Sequence, residues 1–408
     1  MSYKYDFGKR SKRSIGSIAK LIDVLDITQK ELDFVNSLTE EQKYKKKETA
    51  KSDGSVRVVY NPDKTLRKIQ RRINKRIFNQ RGNKGGLISW PSYLYGSIPN
   101  TPQYNSTQKK FDFSKDYVAC AANHCGSKSL LKMDISDFFD NIHAVHVKSV
   151  FTDLLKIPDD VSETLTALCC LEGNVVQGAL TSSYIASAVL FDVEADVVRR
   201  LHFKRLTYTR LVDDITVSSQ KLNYEFTFAQ NLIADMLQKK DLPINLNKTT
   251  ITNCSTEELT VHGLRVNFKE PRLPSSEVSR IRASVKHLEL LSQDSLYRVS
   301  RDYRKSYDRC LGRVNKLGRL GHKQHTILLT RVLRIWPLPS KNDINLAINL
   351  IKKLEGWSLT TKADEYWYYR LCNKAHSELN ILQRSYYTIA SSLRKKLKKI
   401  TPDREDYL

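Results

Sequence analysis

The stretch RLVDDITVS, residues 210–218, sets two adjacent carboxylates, Asp213 and Asp214, between runs of β-branched and apolar residues. Neighbouring like charges are costly once they are partly buried. Such a pair is either a surface turn or half of a site whose positive charge comes from elsewhere. In one straight strand the two side chains would point to opposite faces. If the chain folds back here, both sit at a hairpin tip and can aim the same way. A second acidic element lies upstream in LLKMDISDFFDNI, residues 130–142, where Asp134 ends an apolar strand and precedes Ser136, Asp137 and two phenylalanines. A carboxylate closing one buried strand beside a pair on a neighbouring hairpin makes an oxygen-rich site. Magnesium takes such sites through one or two carboxylates, with water and phosphates supplying the rest. Two such ions about 4 Å apart can activate a 3′-hydroxyl and steady a departing pyrophosphate.

The wider composition agrees with an anionic partner. The 408 residues point to two or three packed units, and 40% hydrophobic residues can fill their interiors. Lys and Arg total 68 against 44 Asp and Glu, a formal charge of +24. An excess of that size opposes compactness unless something acidic is bound, with nucleic acid the first candidate and an anionic membrane the second. No run of about 18 apolar residues is present to span a membrane. The charge also predicts nucleic-acid binding that weakens steeply with salt. Seven cysteines lie scattered without any C-x-x-C pair, which argues against a disulfide framework or zinc ribbon. The nearest approach to a metal cluster is CAANHC, residues 120–125, and packing thiols are its simpler reading. The basic N-terminus lacks a signal-peptide apolar core, so the expectation is a reduced, cytoplasmic protein.

Along the chain, residues 1–50 read as helical and charged, with EEQKYKKKETAKSDGS (40–55) as a solvated connector. VRVVYNP (56–62) reads as a strand, and the following segment repeats Leu66, Ile69, Ile73 and Ile77 at helical spacing. Residues 79–108 form a Gly-, Asn- and Pro-rich loop. From about 116 to 270 strands and helices alternate as in an α+β unit on an antiparallel sheet, with residues 181–203 read as a single helix. After PRLPSS (271–276) only helices follow, the last of them one long helix over 363–400. That helix interleaves Trp367, Tyr386 and Tyr387 with basic residues, a mixture suited to base stacking or simply to packing on neighbouring helices.

Six segments in order over about 55–270 resemble the blocks of reverse transcriptases of the bacterial retron and phage-defence type. VRVVYNPDKTLRKIQRRINKRI is similar to the first fingers block, and LLKMDISDFFDNI to the first catalytic block. VVQGALTSSYIASAVL resembles the Q-G-x-x-T-S-P block, and RLVDDITVS stands where the family has its Tyr-x-Asp-Asp hairpin. LNKTTI and TVHGLRVN resemble the two blocks that follow. The resemblance implies a right-hand polymerase fold: fingers and a palm with an antiparallel sheet, then an all-helical thumb and C-terminal extension. Its expected bounds are 1–54 for an N-terminal helical segment, 55–115 fingers, 116–272 palm with part of the fingers, 273–340 thumb and 341–408 helical extension.

The resemblance also implies roles. Asp134, Asp213 and Asp214 would be catalytic and would hold magnesium, or manganese in its place, with the Ile135 carbonyl joining them. Phe139 falls at the family's sugar gate, with Phe138 the core residue of the pair. Gln177 would touch the nucleotide or templating base, Lys248 the pyrophosphate, and Arg57 the triphosphate. The implied activity is RNA-directed DNA synthesis from a non-coding RNA in antiviral defence, by way of an RNA–DNA hybrid. It leaves room for a protein partner or second reverse transcriptase from the same operon, and for an oligomer, without a membrane. Two other readings are a nucleic-acid-binding scaffold whose chemistry has drifted, and an untemplated or protein-primed polymerase.

Several positions depart from the family. Leu211 replaces the tyrosine of the hairpin block, and Val176 and Ser183 stand where prolines are usual. The retron marks Asn-Ala-x-x-His and Val-Thr-Gly read here as CAANH, with Cys120 for Asn but His124 kept, and VHG, with His262 before Gly263. These marks are associated with recognition of structured RNA, which places His124, His262 and Gly263 as nucleic-acid contacts. Their erosion points towards a related defence enzyme rather than a retron proper.

Overall fold

The computed structural model describes residues 4–50, 54, 56–79, 86–100, 103–105, 110–112, 115–360 and 366–402, with the backbone alone at 103–105 and 110–112. The chain divides into two compact units, residues 1–272 and 273–408.

The first unit begins with helices Ile18–Leu25 and Gln29–Ser37. The expected connector then departs from its reading. Tyr44–Ala50 is a strand, β1, paired antiparallel with β2, Val56–Pro62, from Tyr44 opposite Pro62 to Ala50 opposite Val56. Every β1 residue except Tyr44 is exposed, so the strand shows neither alternation nor an apolar run. An expected boundary at 54/55 therefore cuts a hairpin. Helix α1, Lys64–Ile73, follows, and Leu66, Ile69, Ile73 and Ile77 are all buried, as their spacing indicated.

The sheet that carries the acidic residues has five strands. β3 is Leu94–Tyr95, inside the segment read as loop, and helix α2 is Tyr117–Ala122. β4 is Ser129–Asp134, β5 Thr207–Leu211, β6 Asp214–Ser219 and β7 Thr250–Asn253. Their order across the sheet is β7-β4-β6-β5-β3, antiparallel except for β5 beside β3. Nearly every residue of β4 and β6 is buried. Both faces are covered, so that in β6 Thr216 and Ser218 are buried as well as Ile215 and Val217. Leu131, Met133, Ile215, Val217 and Tyr208 join the main core of the unit.

The helix read over 181–203 is two: α3, Ser182–Ala188, and α4, Glu194–Phe203. Helix α5, Thr227–Gln238, leads back to β7. A short hairpin of β8, Thr260–Val261, and β9, Leu264–Arg265, closes the unit. Its two-residue turn has left-handed backbone at His262 (φ 48°) and Gly263 (φ 75°), the arrangement a tight hairpin favours.

The second unit is helical: α6 Ser275–Leu291, α7 Arg301–Arg319, α8 His325–Arg334, α9 Lys341–Ser358, α10 Tyr366–Leu382 and α11 Tyr387–Ile400, with a short helix at Ser295–Arg298. The final helix expected over 363–400 is broken between α10 and α11, and its residues 363–365 lie outside the described residues. Arg304 of α7 donates to Asp343 and Glu378, tying α7 to α9 and α10. Trp367 packs edge-on against Trp357 at 5.0 Å, and Tyr386 packs on the same core, while Tyr387 is exposed. Among the described residues no helix is long and apolar enough to cross a membrane.

Candidate active site

The β5–β6 hairpin turns within two residues, Val212 and Asp213, since Leu211 pairs with Asp214. Val212 takes a left-handed φ of 61°, a conformation in which a β-branched residue is strained. In the next register position Asp214 lies directly opposite Asp134 of β4. Directly opposed residues share a face of the sheet, with Cα atoms about 5 Å apart. The Ile135 N–H donates to the Asp213 carbonyl at 3.3 Å, which closes the turn onto the end of β4. Two strands and one turn thus bring all three carboxylates together.

Asp134 is held on one side. Its Oδ2 accepts from Lys248 Nζ at 3.0 Å and from Asn245 Nδ2 at 3.2 Å, and the Asn245 N–H donates to its carbonyl at 2.8 Å. Lys248 is raised above its ordinary range by that bond to Asp134. Burial, then the charge of Asp214, hold the Asp213 carboxyl above the usual carboxylate range. Burial, then Asp134, do the same for Asp214. Negative charge here exceeds what Lys248 and Lys132 offset. Among the described residues no three His, Cys, Asp or Glu side chains form a metal cage by themselves.

A cavity of about 780 Å³ opens over Asp134 and Asp213. Phe138, Phe139 and Gln177 line it, and Arg57 and Thr49 of the β1–β2 hairpin stand on a further wall. Phe138 is also buried in the core, whereas Phe139 is half-buried. The Gln177 loop is seated by its backbone: its carbonyl accepts from the Tyr60 N–H at 2.7 Å. Gly178 follows at φ 111°, and a Cβ there would come within 2.5 Å of the Tyr60 carbonyl. Only glycine lets this loop lie so close to β2.

Residues 44–268 match the family described as reverse transcriptase (RNA-dependent DNA polymerase). The chain is 46% identical over 376 residues to the Retron Ec48 reverse transcriptase of Escherichia coli, covering 92% of this chain and 90% of that one. It is 31% identical over 397 residues to the Retron Se72 reverse transcriptase of Salmonella heidelberg, covering 96% and 97%. The Retron Ec86 reverse transcriptase of Escherichia coli is 23% identical over 72% of this chain and 80% of that one.

The chain belongs to the reverse transcriptases, and within them to the retron type.

It is accordingly an RNA-directed DNA polymerase, a nucleotidyltransferase. Cys120 and His262 therefore do not mark a step away from retron enzymes, as their departure from the usual motifs had indicated. Both side chains have partners inside the reverse transcriptase. The Cys120 thiol lies 3.2 Å from Thr209 Oγ1 and 3.4 Å from His262 Nε2.

His124 requires a correction. It is fully buried, with Nδ1 2.8 Å from Ser218 Oγ and Nε2 2.8 Å from Thr209 Oγ1. Burial pushes it down to about 3, so the ring is neutral. With both nitrogens engaged it has no means of touching nucleic acid, and it instead braces β5 to β6. His262 lies at the turn of the β8–β9 hairpin with Nδ1 3.7 Å from Asp214 Oδ2. Burial, then Lys132, push it down to about 4, so at neutral pH it offers no charge to that carboxylate. Gly263 is exposed.

Two sets of residues escaped the sequence reading. Asn245 stands three residues before Lys248, and its position in INLNKTT was the only available signal. Arg210, inside the opening stretch, is completely buried in an ion pair with Glu194.

Proposed function

We propose that Asp134, Asp213 and Asp214 form the catalytic centre of RNA-directed DNA synthesis on a structured non-coding RNA, serving bacterial antiviral defence. The observation that carries this reading is the register of β4 against the hairpin, which sets Asp214 opposite Asp134 while Asp134 and Asp213 line a nucleotide-sized cavity. The donor set suits a hard divalent cation. It is all oxygen, it is short of positive charge, and magnesium needs only one or two protein carboxylates beside water and phosphates. Two magnesium ions, or manganese in their place, would be held by Asp134 and Asp213 with Asp214 and the Ile135 carbonyl completing the set. When bound they would lower the pKa of the primer 3′-hydroxyl and neutralise the departing pyrophosphate.

The chain's own groups do the rest. Asn245 and Lys248 both grip Asp134 Oδ2, and Asp134 lines the cavity. Lys248, with 65% of its side chain exposed, can swing from Asp134 to the pyrophosphate and donate a proton there. Arg57 contacts the triphosphate from the opposite wall. Phe139 lies under the sugar, where a 2′-hydroxyl would clash, and Gln177 supports the base. Residues 55–115 with the preceding strand β1 act as fingers, 116–272 as palm, 273–340 as thumb, and 341–408 as an extension. The RNA–DNA hybrid is gripped mainly through its backbone and shape.

The test is primer extension on an RNA template with Asp134→Ala and Asp213→Ala. Incorporation should fall by about 10³-fold, while RNA binding followed by fluorescence anisotropy stays within about twofold. Residual incorporation within tenfold of the parent would remove these carboxylates from the chemistry. Sequencing the nucleic acid that copurifies with the chain identifies the template.

A further inference from the structure

Beneath the catalytic hairpin lies a polar cluster with no access to solvent. Arg210 of β5 and Glu194, the first residue of α4, are both fully buried. Arg210 Nε donates to Glu194 Oε1 at 2.6 Å and Nη2 to Oε2 at 2.7 Å, a two-pronged grip. Tyr208 Oη donates to the same Oε1 at 2.7 Å. The remaining N–H groups go to backbone carbonyls: Nη1 to Ala186 at 3.2 Å and Val212 at 3.0 Å, and Nη2 to Ser187 at 3.0 Å. All the donors of a guanidinium are thereby engaged.

The bond to Val212 is the informative one. Val212 is the strained first residue of the turn, and its carbonyl belongs to the peptide unit that launches Asp213. A β-branched residue pays for a left-handed φ only where its surroundings impose it. Gly96 makes room from one side, since a Cβ there would lie 3.0 Å from Val212 Cγ2. Arg210 holds the carbonyl from below, and the helix carbonyls and Glu194 fix Arg210 in turn. Charge is not its contribution. Glu194 neutralises it locally, and the cations that ease ionisation of Asp213 and Asp214 are Lys248 and Lys132.

We infer that Arg210 is a positioning residue for polymerisation: clamped by Glu194, it holds the Val212 carbonyl and so fixes the strained turn that presents Asp213. The inference rests on the proposed catalytic role of Asp213. It implies that Arg210 affects turnover rather than nucleotide binding, and that a turn without strain no longer needs it.

The experiment compares Arg210→Lys, Val212→Gly, the two combined, and Asp213→Ala, in the full chain with a fixed RNA template and DNA primer. Lysine keeps the charge beside Glu194 but cannot reach Glu194, Val212 and α3 together. For Arg210→Lys the expected result is a cooperative melting transition, a fall in kcat of at least about tenfold, and a KM for nucleotide within about twofold. Amide hydrogen exchange over residues 211–215 should accelerate at least about tenfold while β4 keeps its protection. Adding Val212→Gly should restore at least about half of the lost kcat, because glycine accepts the left-handed turn unaided. The inference is overturned if Arg210→Lys keeps kcat within twofold, if glycine at 212 recovers nothing, or if Arg210→Lys fails to fold. In the last case the pair holds the fold and not the turn. Activity surviving in Asp213→Ala defeats the catalytic reading itself, and the clamp with it. Loss in Asp213→Ala with an unaffected Arg210→Lys defeats the clamp alone.

Discussion

Two hairpins face the same cavity and are built on opposite principles. β5–β6 is buried along nearly its whole length and ends in Asp213 and Asp214. β1–β2 is largely exposed, and its outer strand reads YKKKETA. The first is fixed by its core: slipping the register by one residue would turn Ile215 and Val217 out of it. The second has little core of its own and is held by its backbone ladder and by Gln177 and Gly178 at β2. One hairpin needs rigidity to hold like charges together. The other presents cations on a surface free to meet an anion. The proposed polymerase pocket asks for both, with acids fixed below and bases above.

The contrast is most directly broken by reversing the sign of the upper wall. Arg57→Glu places a carboxylate across the cavity from Asp134 and Asp213. The KM for deoxynucleotide should rise by at least about tenfold, with kcat changed much less, because the lost contact binds ground state and transition state alike. Steady-state incorporation at saturating primer–template checks this. A fall in kcat at constant KM would instead place Arg57 in the chemistry.

Moving outward along the same strands, Lys47 lies opposite Val59 in the ladder and borders a second, smaller cavity with Lys45 and Arg67. We propose that this basic face takes single-stranded template rather than the triphosphate. Lys47→Ala should weaken template binding only severalfold at physiological salt. It should also flatten the slope of log affinity against log salt by about 0.7, as read by anisotropy titrations across salt concentrations. An unchanged slope would remove this face from the phosphate path.

The same contrast explains what could be read from the sequence. Asp134, Asp213 and Asp214 were legible because their flanks are apolar, and burial on both sheet faces leaves few alternatives for such runs. β1 was not legible: Lys and Glu are poor strand formers, and no buried face imposes a period. The break between α3 and α4 carries no proline or glycine. It is set by tertiary demand, since ending α3 at Ala188 places Glu194 beneath Arg210. The break before α11 likewise lacks a stop signal; there Arg384 reaches the Pro337 carbonyl and Tyr386 packs into the core. His124 was found by its motif and misassigned in role, because a motif fixes position and not exposure. Its bonds to Ser218 and Thr209 connect residues 85 or more apart in sequence.

The smallest effect sharpens the comparison through stability rather than activity. Burial, then Asp214, hold the Asp213 carboxyl above its usual range, so ionising it costs more in the folded chain than in the unfolded one. Without divalent ions that penalty is in force at neutral pH. It is relieved as pH falls through the raised folded value, and it is gone below the unfolded value near 4, where both states carry the proton. Asp213→Asn removes it at the expense of activity. In EDTA at pH 7 the variant should melt about 2 °C above the parent, and the gain should shrink to nothing as the buffer is taken down towards pH 4. Lys47→Ala, on the exposed hairpin, should leave the melting temperature where it was at either pH. A neutral-pH melting temperature for Asp213→Asn below that of the parent would mean that the carboxylate is satisfied by the protein alone. The acidic hairpin would then be a structural element, no more dependent on a bound cation than the basic one.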